Sequence, residues 1–182
     1  MSEMATASDV LRFWFEVHGE ADWFGGKPEF DAALAAQFTA THAAVTRGEA
    51  WSWRRNPEGR LAEIIVLDQF SRQLYRGRGA SFASDTLALA LAQEMVGGGH
   101  HNFLPLPQRL FVLMPFMHSE SALMQAESVR LFTATGSDWL GYALAHAEII
   151  GRFGRFPGRN AALGRASTEE ELRYIASSKG MF

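Results

Sequence analysis

Apolar residues recur along this 182-residue chain at intervals of three and four, so helices are expected nearly everywhere. Period-two alternation bounded by turn residues is almost absent, which argues against strands. Ser8 can cap a first helix through about Val17, with Gly19 closing it. Pro28 suits the first turn of a second helix that runs to about Arg47 and stops at Gly48. After the Asn56-Pro57 turn, a third helix carries Leu61, Ile64, Ile65, Asp68, Arg72 and Tyr75 on one stripe, and Gly77 and Gly79 end it. A fourth starts at Ser84 or Asp85 and ends at Gly97-Gly98-Gly99, and His100 to Pro107 reads as a loop. Pro107 can open a fifth helix that Pro115 should end or kink, because Pro115 cannot donate to the carbonyl of Phe111. A sixth runs from Glu120 to Thr135 before Gly136, and Ser137 can cap a seventh through about Phe153. Ser167 and Glu170 offer a capping box for a last short helix.

Short loops between these helices predict an all-α fold of packed antiparallel helix pairs, organised as a single helical domain over residues 1–182. No fixed 34-residue period is visible, so spacing alone does not establish a helical-repeat architecture. The high share of hydrophobic residues, 47%, is enough for a sizeable core and argues against disorder. A net charge of -3 argues against nucleic acid or an anionic membrane as a partner. The absence of cysteine excludes disulfides, thiolate catalysis and cysteine-ligated zinc, and it suits a cytoplasmic location. Met1 to Asp9 lacks the basic start and apolar core of a secretory signal, and the apolar block Leu110 to Met117 is too short to span a bilayer.

Polar side chains on apolar stripes mark the candidate chemistry. Asp68 falls on the buried face of its helix, where it needs a cation or hydrogen bonds, and Arg72 four residues on can supply one. That pair is either structural or, with Gln69 and Arg76, the wall of a pocket. His146 lies on the stripe Tyr142, His146, Ile149, Ile150, Phe153, either as a core residue or as an acid–base group. Glu148 can pair with Arg152. In His118-Ser119-Glu120, Ser119 can be a helix cap and Glu120 a first-turn acid, which leaves His118 unexplained. A metal reading would join His118, Glu120, His146 and Asp68, but the spacings match no tight ligand motif, and no metal or other cofactor is expected. A triad of Ser119, His146 and Asp68 has the right residue types without the strand–turn–helix setting of a nucleophile elbow. Phe153 to Asn160 places Arg155 and Arg159 among phenylalanines and glycines, where guanidinium groups need an anionic partner from the protein or from a ligand. Tryptophans 14, 23, 51 and 53 crowd the N-terminal third, chiefly for packing, with a minor ligand-stacking option at Trp23 or Trp51.

Several motifs together carry a family resemblance. They are Val10-Leu11-Arg12-Phe13-Trp14-Phe15, Trp23-Phe24, Leu67-Asp68-Gln69-Phe70-Ser71-Arg72, Met114-Pro115-Phe116-Met117-His118-Ser119-Glu120, and His146 leading into Phe153-Gly154-Arg155-Phe156-Pro157-Gly158-Arg159-Asn160. Spanning nearly the whole chain, they resemble the bacterial domain-of-unknown-function 924 family. The resemblance implies a tetratricopeptide-repeat-like array of about seven to nine helices, with no established reaction. It carries Asp68, Gln69, Arg72, His118, Ser119, Glu120, His146, Arg155, Arg159 and Asn160 as motif positions. Gly158 stands where a bulkier residue is common and Ser71 where proline is common, and neither change removes a charged side chain.

Three functions follow as expectations. The first is a binding module for a small anionic ligand or the end of an acidic peptide. Arg72, Arg76, Arg155 and Arg159 would hold the anion, with Gln69, Ser119 and Asn160 also lining the site and Asp68 and Glu148 orienting the guanidinium groups. The second is a hydrolase-like enzyme with His146 or His118 as base and Glu120 or Asp68 as its partner. The third is an interaction scaffold whose polar clusters only lock helices together.

Overall fold

Thr6, not Ser8, begins the first helix. Its hydroxyl accepts from the Asp9 N–H while the Asp9 carboxylate accepts from the Thr6 N–H, a complete capping box two residues earlier than expected. The computed structural model describes residues 4–24 and 26–177, so part of the Met1 to Asp9 stretch lies outside it. Among the described residues every regular element is helical, as the spacing predicts. The α-helices are α1 (Ala7–Arg12), α2 (Glu20–Trp23), α3 (Pro28–Thr46), α4 (Pro57–Ile65), α5 (Ser71–Leu74), α6 (Asp85–Gly97), α7 (Leu106–Met117), α8 (Ala122–Thr135), α9 (Leu140–Phe153) and α10 (Glu169–Ser177). Wider π turns extend α1 over Phe13–Val17 and join α4 to α5 over Val66–Phe70. None of the described helices is long and apolar enough to cross a membrane.

Several starts and stops fall where local chemistry puts them. Asn56 caps α4 by accepting from the Gly59 N–H at 2.7 Å. Gly59 can only be glycine there, because a Cβ would stand 2.0 Å from the Trp53 carbonyl oxygen. Gly154 ends α9 with φ +70°, a left-handed value open to glycine. Other boundaries differ from expectation. α7 continues two residues beyond Pro115, which sits in the last turn, where losing one hydrogen bond disrupts little of the helix. Ser121, not Ser119, caps α8. At α10 the capping box is Thr168 with Glu171, one residue later than Ser167 with Glu170: the Glu171 N–H bonds Thr168 Oγ1 and the Thr168 N–H bonds Glu171 Oε2. Ser137 makes no side-chain cap, since Trp139 stands at the N-cap of α9.

The residues divide into two compact units. The first comprises the chain through Arg76 and again Ala80–Val112, and the second takes Gly77–Gly79 and the chain from Leu113. In the first unit, α4 packs on α1 and α6, and α3 packs on α5 and the Val66–Phe70 turn. An aromatic cluster fills this core. Phe13 stacks on Phe30 at 5.7 Å, Trp14 lies parallel to Trp23 at 5.5 Å, and Phe111 meets Trp14 edge-on. Trp23 also donates its Nε1–H to the Trp14 carbonyl, so packing accounts for it, while Trp51 is exposed beside Arg55. In the second unit, α8 and α9 form an antiparallel hairpin, and Ile149, Ile150 and Phe156 make a core against which Phe153 and Tyr174 pack.

A carboxylate that the stripe reading passed over holds the first unit's α4 in place. Glu63 is fully buried and accepts two hydrogen bonds of 2.7 Å from Arg54. Removing one partner strands a buried charge, so Arg54→Ala should lower unfolding free energy by about 3 kcal/mol in urea titration. The paired apolar replacement Arg54→Met with Glu63→Leu should recover most of that loss; a double variant as unstable as the single would show that packing, not the stranded charge, sets the cost.

Candidate functional site

Within the first unit the expected Asp68–Arg72 pair forms, and it is more elaborate than the spacing suggests. The π turn Val66–Phe70 buries all five of its residues, Asp68 among them. Arg72 Nη1 reaches Asp68 Oδ1 at 2.9 Å and donates to the Asp68 backbone carbonyl, while the same guanidinium bonds both carboxylate oxygens of Asp85. Gln69 donates to Asp68 Oδ2. Burial works against the Arg72 charge, but Asp68 and then Asp85 outweigh it and raise its pKa above the ordinary value. Arg76 bonds Asp31 through Nε and Nη2, and Nη2 also donates to Gln73 Oε1. Arg72 and Arg76 are thus already held by the protein's own carboxylates.

Next to this network lies a serine–histidine contact that the sequence reading missed. His42 Nε2 is 2.7 Å from Ser71 Oγ, and both residues are buried. Its direction is fixed by the hydroxyl, which donates to the Leu67 carbonyl at 2.7 Å. His42 Nε2 must therefore carry the proton and donate to Ser71, the reverse of a base activating a nucleophile. Burial pushes the His42 pKa down, which keeps the ring neutral.

The second unit gathers the remaining expected residues. His118 follows α7 and His146 lies on α9; both are buried, and their ring centroids are 6.0 Å apart. His146 Nδ1 is 2.7 Å from the Tyr142 carbonyl, which can only accept, so Nδ1 carries a proton. The His146 ring meets Phe156 at a steep angle, with 5.5 Å between ring centroids. Arg159 donates to the His118 carbonyl at 2.9 Å and lies over the Phe156 ring, 4.4 Å from its centroid.

Acid–base pairs frame this cluster. Glu120 accepts from the Phe156 N–H and takes a two-pronged bond from Arg165. Burial raises its pKa, but the Arg165 bonds, the Phe156 N–H and the charges of Arg165 and Arg159 together hold it below the usual carboxylate range. Arg155 grips Glu171 at 2.6 and 2.8 Å and also bonds the Ala166 carbonyl. Asn160 bonds Ser167 and Arg165, Ser119 Oγ accepts from the Ser121 N–H, and Arg152 pairs with Glu170 instead of the expected Glu148.

Asp68, Gln69 and Arg72 therefore form one network with Asp85 in the first unit, where Arg76 is held by Asp31 and Gln73, and His118, Ser119, Glu120, His146, Arg155, Arg159 and Asn160 lie in the second. A groove of about 280 Å³ in the first unit, lined by Asp9, Arg12, Phe13, Gln37 and Phe38 among others, includes none of these residues. Among the described residues no group of three or more His, Asp or Glu side chains is placed to hold a metal ion. Asp85 in the first unit and Arg165, Glu171 and Gln125 in the second are unforeseen partners of the expected residues. Asp85, Arg165 and Glu171 reach across 13, 45 and 16 positions, where helical periodicity gives no signal, and Gln125 bonds the Met117 and Ser119 carbonyls across a helix entrance.

The model of a family described as bacterial protein of unknown function (DUF924) matches residues 10–179. A solved structure of a protein of unknown function from Agrobacterium tumefaciens is 34% identical, with a TM-score of 0.89; the match covers 94% of this chain and 97% of that one. No curated protein matches the chain.

Two pH effects follow. Hydrogen bonds from Arg155 and then Thr168 hold the Glu171 carboxyl down at about 2, against an ordinary 4.5. The unfolded chain binds that proton more readily, so this contribution is present above pH 4.5 and lost as pH falls toward 2. Glu171→Gln should lower stability at neutral pH and flatten the acid limb of the stability curve. For His42 the unfolded ring also takes up a proton more readily than the folded one, so stability should decline as pH falls below 6.5. Replacing His42 with Asn should remove that part of the slope in chemical denaturation at several pH values; an unchanged slope would assign it to another group.

Proposed function

We propose, for a chain that belongs to the bacterial DUF924 family, that the second unit binds a small anionic ligand, a carboxylate or phosphate, at His118, His146 and Arg159. One observation carries this reading: two buried imidazoles stand 6.0 Å apart, with the Arg159 guanidinium anchored on the carbonyl of one of them. Imidazole N–H groups and a guanidinium are donors of the kind an anion needs. Arg72, Arg76 and Arg155 take a structural part in this proposal, because an incoming anion would have to displace Asp68 and Asp85, Asp31 or Glu171. Glu120 and Asn160 hold the Phe156–Arg165 segment beneath the site.

A second reading, a hydrolase-like enzyme with His146 as base, draws on the Tyr142 carbonyl, which fixes the tautomer a base requires. The closed arginine–carboxylate pairs favour a scaffold role for the rest of the chain, on helix pairs of the tetratricopeptide kind within one domain. A cytoplasmic location and the absence of a nucleic-acid partner belong to the same proposal; they draw on a net charge of -3 and a chain without cysteine.

The test is a thermal-shift series with phosphate and acetate on the wild type, His146→Ala, Arg159→Gln and Arg155→Ala. A ligand at about 100 times its Kd adds about 2.7 kcal/mol, or about 5–10 °C for a chain of this size. The shift should shrink in His146→Ala and Arg159→Gln and persist in Arg155→Ala. An equal shift in all four proteins rejects the site.

A further inference from the structure

The groove of the first unit, about 280 Å³ in volume, shares no lining residue with the proposed anion site. Its lining comes from α1, the π turn after it and α3, with Ala5 at one edge. The Ala5 N–H donates to Thr41 Oγ1 at 2.9 Å, which ties the chain before α1 to α3. Phe13 and Phe38 form the floor: both are buried, and their rings meet at a steep angle with 5.0 Å between centroids. The π turn carries the apolar lining from floor to rim. Its closing bond runs from the His18 N–H back five residues to the Phe13 carbonyl at 3.1 Å. Phe13 and Val17, the two ends of that turn, both line the groove, and Val17 is left 62% exposed. Such turns are rare and occur frequently at functional sites.

The polar groups of the rim differ in what they leave free. Asp9 is committed to the cap of α1, its Oδ2 accepting from the Thr6 N–H at 3.0 Å and the Thr6 hydroxyl at 2.6 Å. The Arg12 side chain is 66% exposed and comes no closer than 3.9 Å to Asp9 Oδ1, beyond hydrogen-bond reach. Gln37 is exposed as well, and among the described residues neither it nor Arg12 spends a side-chain hydrogen bond on the protein. Arg12 therefore stands apart from Arg72, Arg76 and Arg155, whose forks are filled by carboxylates. Its donors face solvent beside an aromatic floor.

We infer that this groove binds a small carboxylate with an apolar body, an aryl or short alkyl acid, whose body lies on Phe13, Phe38 and Val17 and whose carboxylate takes the Arg12 fork. The planar guanidinium matches a carboxylate through two parallel N–H bonds, and the Gln37 amide offers further donors on the same rim. Ligand sites are mostly apolar with a few polar groups that set orientation, and they span about 300–1,000 Å³. This groove lies at the small end of that range, with room for one ring or a short chain. A cation would find only Asp9 Oδ1 uncommitted, with the Arg12 charge beside it. The inference does not depend on the His118–His146 site.

Amide NMR titration of the full chain with phenylacetate tests it. Acetate lacks the ring, phenylethanol lacks the charge and phenylethylamine reverses it. Phenylacetate should shift the Ala5, Val17 and Gln37 amides saturably, and about tenfold or more tightly than each of the other three, the gain expected when a charge-assisted hydrogen bond or a buried ring is added. Arg12→Gln should weaken phenylacetate about tenfold at the same amides. Gln37→Glu, which adds a negative charge to the rim, should weaken it too, and makes the comparison if Arg12→Gln alters shifts throughout the chain. No saturable shift at these amides overturns the inference, as does equal affinity for acetate, the alcohol or the amine. Phenylacetate bound as tightly by Arg12→Gln and Gln37→Glu as by the wild type overturns it as well. Binding weakened by Arg159→Gln and untouched by Arg12→Gln places the acid in the second unit, which rejects this groove and supports the other site.

Discussion

A carboxylate taken out of water must be met by a cation or by several hydrogen bonds, and that requirement organises both units of this protein. Glu63 is met by Arg54, Asp68 by Arg72, Glu120 by Arg165 and Glu171 by Arg155. Three of the four bonds connect residues outside a single helical turn, so they fix how segments lie against one another. Only Asp68–Arg72 is local, and its guanidinium extends to Asp85 on α6. Pairs of this kind add little net stability compared with well-packed apolar side chains, but they are costly to break and they fix register.

The same requirement divides the arginines by role. A guanidinium already gripped by two carboxylate oxygens has its fork occupied, and a free anion in solution competes poorly with a tethered one. Arg72, Arg76 and Arg155 fall in that class. Arg159 donates to the His118 backbone carbonyl and lies over the Phe156 ring, and its charge also acts on Glu120. The motif that first draws attention, Phe153 to Asn160, thus holds two arginines with different partners: Arg155 secures the start of α10 through Glu171, and Arg159 holds the His118 backbone.

Much of this was legible in the residues. Glycine, proline and Asn56 marked the helix boundaries, and the apolar stripe placed Asp68 in the core with Arg72 beside it. Local rules of three and four residues suffice for such features. They mislead where the helix itself changes pitch: the π turn at Val66–Phe70 inserts a residue into the count and buries every side of the segment. Caps shifted by one or two residues at Thr6, Ser121 and Thr168, because neighbouring Ser and Thr residues compete for the same role and the tertiary partners decide. The partners Arg165 and Asp85 were not legible, since nothing in one sequence ties residues 45 and 13 positions apart. Ser71 and His42 show the converse: the right atoms meet, but a hydroxyl already committed to Leu67 makes the contact structural.

Glu171 serves two structures with one carboxylate. It completes the first turn of α10 through Thr168 and at the same time anchors the Arg155 guanidinium at the end of α9. Unwinding at the front of α10 and release of Arg155 are therefore one event. Whatever frays the start of α10 also frees the guanidinium that ties the chain leaving α9 to it.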